Sequence, residues 1–288
     1  MTVDAARDPR QTLANGHAAA TELRGVVEAG RYVRGTWRSV RQPLVNLCDA
    51  PRGARTSQLL HGEAFRVIDE QNGFSFGQGA RDGYCGWVLS AALGREEEAT
   101  HWVVAPATHL YPKAAVKAPP EVSVFFGSRL RVTAELGDFV RLASGHFVPA
   151  PHVQPLKRRF RDPVAVADLL LGTPYLWGGC SRWGIDCSGL VQAALLACGI
   201  DCPRDSDQQE TLGRALTADE PARRGDLVFW DGHVGLMADG ETLLHANAHH
   251  MAVALEPFAE ARDRIRAGGG TGTGSGEVMA RRRLDATR

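Results

Sequence analysis

Cys187 stands in the run Asp186-Cys-Ser-Gly-Leu190, and four histidines follow it: His233, His245, His249 and His250. A cysteine does nucleophilic acyl chemistry when a base takes its proton and a third group orients the base. Apolar residues recur after it at helical spacing, at Leu190, Val191, Ala194, Leu195 and Cys198. A helix is therefore predicted to begin at about Asp186 or Cys187. Cys187 falls on the same face as Val191, Ala194 and Cys198, so its sulfur points into the domain. The positive end of the helix dipole would favour the thiolate. A buried structural cysteine suits the same position.

The base must come from elements that bring a histidine to that helix end. Residues 233–238 and 241–246 read as two strands of a hairpin, with His233 opening one and His245 ending the other. Side chains alternate along a strand, so loop length decides whether the two imidazoles share a face. A two-residue loop, Asp239-Gly240, would put Val234 opposite His245 and turn His233 away. A three-residue loop, 238–240, would pair Met237 with Glu241 and His233 with His245, with Gly240 supplying a left-handed third position. The three-residue loop, or another register with the same facing, is predicted. His249 and His250 read as a solvated loop.

The other elements of this half follow from composition. Residues 163–171 read as a helix with Pro163 in its first turn. Residues 173–179 form a turn carrying Pro174, Tyr175 and Trp177. Residues 207–216 read as a short helix, 224–230 as a turn feeding a strand, and 257–266 as a helix. Residues 268–276, nearly all Gly, Thr and Ser, read as a flexible loop, and 278–284 as a last strand. Helices followed by an antiparallel sheet make an α+β domain over 154–288.

The preceding half is different text. Short apolar runs broken by Gly, Pro, Asp and Asn predict small antiparallel barrels. The region repeats: residues 59–67 align with 124–132, placing Gly62 on Gly127, Glu63 on Ser128, Phe65 on Leu130 and Val67 on Val132. Two copies of one β unit are expected, at 23–97 and 98–153, behind a loose polar tail at 1–22. Pro149, Pro151 and Pro155 read as a stiff linker.

The 288 residues hold 33 basic and 33 acidic side chains and are 44% hydrophobic. No global field argues for nucleic acid or an acidic membrane. Six cysteines in so long a chain suggest no disulfide scaffold, and Cys198-x-x-x-Cys202 fits no common zinc spacing. The polar start of the sequence has no apolar run suited to a signal peptide or membrane span, so a cytoplasmic protein is expected.

Asp186-Cys-Ser-Gly-Leu190, Arg224-Gly-Asp-Leu-Val228, Gly232-His-Val-Gly235 and Leu244-His-Ala246 occur in the order and spacing of the NlpC-type cell-wall peptidases, which residues 160–286 closely resemble. The resemblance implies a papain-like α+β catalytic domain with Cys187 as nucleophile, His233 as base and His245 as orienting residue. It places the Tyr175 hydroxyl by the oxyanion and implies no cofactor and no metal. The β repeats resemble the bacterial SH3-like barrels of a narrower branch, the cytoplasmic γ-D-glutamyl-L-diamino acid endopeptidases of the dipeptidyl-peptidase VI type. The expected fold is thus a papain-like domain behind two small all-β SH3-like barrels. The expected substrate is a murein peptide, L-Ala-γ-D-Glu-diamino acid with a free N-terminus, taken up in wall-peptide recycling. Glu63, Tyr84, Asp186, Ser188 and Ser206 resemble substrate contacts of that branch, with Glu63 and Asp186 enclosing the ammonium group. An amidase or acyltransferase on the same scaffold, or a non-catalytic binder of wall fragments, are the alternatives.

Overall fold

A computed structural model describes residues 7–269 and 276–284. The chain divides at Leu156/Lys157 into two units.

The first unit is all-β. Seven strands make one antiparallel sheet in the order Arg55–Leu60, Leu44–Cys48, Cys85–Leu89, Phe74–Gly79, Ala64–Gln71, Thr36–Val40 and Leu93–Arg95. It closes over Val40, Leu47, Leu59, Phe65 and Val88. A second group of short antiparallel strands, from His101–Val103 to Val153–Pro155, has its own core of Val103, Val124, Leu130, Val140 and Val148. The aligned repeats build the same turn twice. Gly62 and Gly127 both take positive φ, 75° and 89°. Glu63 then accepts the Leu60 N–H at 2.9 Å, and Ser128 accepts the Phe125 N–H at 3.2 Å, each three residues back.

Two expectations for this unit need correction. The stretch read as a loose tail is packed from Leu13 on: Leu13, Ala18 and Ala20 are buried with Ile68, Phe76, Cys85 and Trp87. Its small side chains fit under the aromatic rings, which the low content of large apolar residues concealed. The prolines read as a linker belong to the fold. Val153–Pro155 pairs with His101–Val103, and Phe147–Pro149 with Phe139–Leu142, at sheet edges where a missing N–H is tolerated.

The second unit is α+β. Its antiparallel sheet runs Arg214–Ala215, Ala280–Arg283, Leu227–Trp230, His233–Met237, Thr242–Asn247 and Ala252–Pro257. Helix Pro163–Asp168 starts where its sequence says, with Asp162 accepting the Val164 N–H at 2.9 Å. Helix Cys187–Ala197 buries Leu190, Val191, Ala194 and Leu195 completely and packs on strand His233–Met237. The helix expected over 207–216 is one turn, Ser206–Gln209, after which Arg214–Ala215 pairs with the last strand. Helix Phe258–Arg264 lies on the face of the sheet that carries Met237 and Leu243. The glycine-rich stretch 268–276, read as a flexible loop, lies mostly outside the described residues.

Candidate active site

Asp186 is the N-cap of helix Cys187–Ala197, and its Oδ1 accepts the Gly189 N–H at 2.7 Å. The cap fixes the helix start and so the place of the sulfur. Gly189 has to be glycine, because a Cβ there would come within 2.5 Å of the Gly179 carbonyl oxygen and 2.8 Å of Asp186 Oδ1. Cys187 is 4% exposed. Its Sγ lies 4.0 Å from the Gly232 carbonyl oxygen, with the Val234 N–H also toward it. The sulfur therefore sits against the two residues that flank His233.

His233 opens its strand because Asp231 and Gly232 form a two-residue turn, with Gly232 at φ 69° and Trp230 paired with His233. The next loop places His245. Its register is Met237 with Leu243, closed by Ala238 N–H to the Thr242 carbonyl at 2.8 Å. The three-residue loop is therefore 239–241, one residue later than expected. Gly240 is not left-handed. Instead Asp239 Oδ1 accepts the N–H groups of Glu241 and Thr242, both at 2.8 Å. The shift moves the pairing by two residues, so the imidazoles still share a face, and His233 Nε2 meets His245 Nδ1 at 2.8 Å. Gly235 keeps this face open, since a Cβ there would lie 3.2 Å from His245 Cβ. On the far side His245 Nε2 meets Glu256 Oε1 at 2.6 Å, and Arg264 also binds that oxygen.

Burial governs the charges. It pushes the Cys187 thiol up to about 12, helped by the Asp186 carboxylate. The resting sulfur is a neutral thiol, which overturns the thiolate expected from the helix dipole: desolvation wins over a partial charge. His233 is brought down to about 3, by burial first and then by His245 and Arg264. Burial also lowers His245 against the pull of Glu256. His233 thus folds neutral, and its folded value lies below the unfolded one. As pH falls, the unfolded chain takes the proton first, so stability is full above pH ~6.5 and is lost below it. Lowering pH from 7 to 5 is expected to cost up to about 2 kcal/mol through His233. Urea unfolding of the chain and of His233→Gln at both pH values checks this; an equal loss in the variant would refute it.

Arg204, which sequence reasoning left unassigned, is 1% exposed and forms a two-pronged pair with Asp186, at 3.0 and 2.7 Å. It also donates to Ser188 Oγ at 2.9 Å. With the Gly178 N–H at 2.8 Å, donors from within the protein fill the Asp186 carboxylate. It is a cap and a counter-ion rather than the open anion expected for a substrate ammonium. Glu63 is likewise engaged inside the first unit: Arg81 holds both its oxygens, at 2.9 and 3.1 Å. Tyr84 is packed in the first barrel's core. Ser206 is half-buried at the start of the one-turn helix, where Gln209 ties back to the Ser188 carbonyl at 3.0 Å. Tyr175 is half-buried, and burial, then Cys187 and Asp186, push its phenol up, so the hydroxyl stays a donor.

Among the described residues, one set could share a metal ion: His245, His250 and Glu256, with donor atoms within 4.8 Å. Arg264 already supplies a cation there. Glu256 and Arg264, like Arg204, were missed by sequence reasoning. The signal for Glu256 was its place on the His245 side of strand Ala252–Pro257, where Leu243 pairs with Glu256 and His245 with Ala254.

Residues 172–262 match the NlpC/P60 family, and residues 47–93 match the bacterial dipeptidyl-peptidase Sh3 domain. Over 215 residues the chain is 29% identical to a gamma-D-glutamyl-L-lysine dipeptidyl-peptidase of Bacillus subtilis, covering 66% of this chain and 71% of that relative. It is 40% identical over 90 residues to dipeptidyl-peptidase 6 of Lysinibacillus sphaericus, covering 31% of this chain and 33% of the relative. An NlpC/P60 family crystal structure from Bacillus cereus superposes with a TM-score of 0.72 over 86% of this chain and 99% of its own, at 19% identity, a likeness of fold.

Proposed function

We propose that this chain, which carries an NlpC/P60 domain behind a bacterial dipeptidyl-peptidase Sh3 domain, is a cysteine peptidase that cleaves the γ-D-glutamyl–diamino acid bond of wall-derived peptides. The observation that carries the reading is Cys187 at a capped helix start, its sulfur against the Gly232 carbonyl and the Val234 N–H on either side of His233, whose ring meets His245. The similarity to a gamma-D-glutamyl-L-lysine dipeptidyl-peptidase supports the choice of bond. A dipeptidyl-peptidase counts two residues from a free N-terminus, which fits L-Ala-γ-D-Glu as the acyl product. Such peptides are fragments already released from the wall, and a cytoplasmic recycling role goes with them.

In this reading Cys187 gives its proton to His233 as Sγ attacks the γ-carbonyl carbon, so no free thiolate accumulates. The Cys187 main-chain N–H and the Tyr175 hydroxyl donate to the oxyanion. His233 then protonates the amine of the diamino acid as the C–N bond breaks, leaving a thioester. Water, deprotonated by His233, attacks that thioester and releases the dipeptide with the thiol restored.

The test is incubation with L-Ala-γ-D-Glu-L-Lys, with its diaminopimelate counterpart, and with both N-acetylated. Mass spectrometry is expected to find L-Ala-γ-D-Glu and the free diamino acid. Acetylation removes the charge of the free N-terminus that a dipeptidyl-peptidase reads and adds bulk there, and should lower kcat/KM by about 10-fold or more. Equal kcat/KM for free and acetylated peptides would rule out N-terminal recognition, and intact tripeptides would overturn the reading.

A further inference from the structure

The His233–His245 pair does not end at the second histidine. His245 Nε2 lies 2.6 Å from Glu256 Oε1, and Arg264 Nη2 binds the same oxygen. His250 Nδ1 is 3.9 Å from it. Hydrogen bonds from His245 and Arg264 outweigh burial and hold the Glu256 carboxyl at about 2, so it is an anion. A carboxylate accepts and cannot donate.

The proton between Glu256 and His245 therefore belongs to His245 Nε2. A neutral imidazole carries one N–H, so His245 Nδ1 is a bare lone pair. The 2.8 Å contact with His233 Nε2 then requires the proton to sit on His233. His233 is left with its lone pair on Nδ1, the ring nitrogen that can take the Cys187 proton. Resting on the cysteine-peptidase reading above, we propose that Glu256 is a positioning residue which, through two hydrogen bonds in series, fixes the tautomer of both histidines and so assigns the base its free nitrogen.

The register makes this arrangement. Glu256 pairs with Leu243 and Ala254 with His245, so the carboxylate reaches His245 along the same face. Helix Phe258–Arg264 follows Glu256 at once and folds back on that face, which brings Arg264 to it. An amide at 256 would offer both a donor and an acceptor to His245 Nε2. His245 could then carry its proton on Nδ1, which would force the His233 proton onto its own Nδ1 and block proton transfer from sulfur.

The test uses the full chain with 15N-labelled histidine and needs no substrate for its first reading. In the unmodified protein at pH 7, 15N shifts should show both His233 and His245 protonated on Nε2 and bare on Nδ1. Glu256→Gln should lose this single pattern. It should lower kcat for the tripeptide by about 10²- to 10³-fold, less than a wrong tautomer forced directly on a base, with KM changed less than about 3-fold. Glu256→Asp keeps the acceptor and should restore part of kcat and the Nε2 pattern. His245 protonated on Nδ1 in the unmodified protein would overturn the proposal whether or not any variant folds. So would Glu256→Gln with unchanged tautomers or with kcat within 3-fold. The tautomers stand apart from turnover: the expected shifts with no hydrolysis of any peptide would fault the substrate reading and leave the relay in place.

Discussion

Cys187→Ala is expected to lower tripeptide hydrolysis by at least about 10⁴-fold while the protein stays folded. The sulfur is the only heavy atom removed, and neither aromatic neighbour of the His233 ring, Trp230 or His245, can replace it as the nucleophile. Losing a small buried group costs about 1 kcal/mol, a few degrees in the melting temperature. His233→Gln should be as damaging, and the double variant no slower than either single one, because two members of one proton-transfer unit do not add. Residual turnover in Cys187→Ala above about a thousandth of the unmodified rate would sink the nucleophile assignment.

The second large effect is on stability. Arg204→Met is expected to destabilise the second unit by about 3–5 kcal/mol, because it leaves the Asp186 carboxylate buried without its counter-ion. The side chains of Arg204 and Asp186 are only 1% and 8% exposed, so water cannot replace the lost partner. For a unit of this size that is about 10–20 °C in melting temperature. Arg204→Lys keeps the charge but loses the two-pronged geometry and should fall between. Scanning calorimetry of the full chain reads both. A shift below about 3 °C for Arg204→Met would show that the pair is dispensable.

The parts legible from sequence are those written in local spacing. The helix over Cys187–Ala197 and its start were legible from its apolar positions, whereas the capping role of Asp186 came only with the structure. The duplicated turn was legible because Gly62 and Gly127 need the same left-handed backbone, which few residues supply. What stayed hidden depends on partners distant in the chain. Arg204 lies 18 residues from Asp186, and an arginine between Pro203 and Asp205 reads as solvated until its burial is known. Glu256 precedes a proline at a strand end and reads the same way. Asp226, in the Arg-Gly-Asp turn, proves to be 1% exposed and anchored at 2.7 Å by Arg283 of the last strand, 57 residues on. The hairpin was legible only as far as its parity. Spacing restricted the imidazoles to registers of one facing, while an Asp239 side chain bonding back to the main chain chose which one. The state of the thiol was misjudged because a dipole can be read from position, whereas the depth of burial cannot.

That thiol has a consequence beyond turnover. Peroxides and alkylating reagents find cysteines in proportion to their thiolate, and at pH 7 a group with a pKa of about 12 keeps about one part in 10⁵ in that form. Cys85 is held up at about 12 and Cys198 at about 11, both by burial, and burial raises Cys48 as well. None of these sulfurs advertises itself to an oxidant, Cys187 included. Conversion to sulfenic acid, the first rung of the damage that ends many cysteine enzymes, is slow for a sulfur kept protonated and out of solvent. The burial that defers the nucleophile until a carbonyl is in place is thereby also its antioxidant.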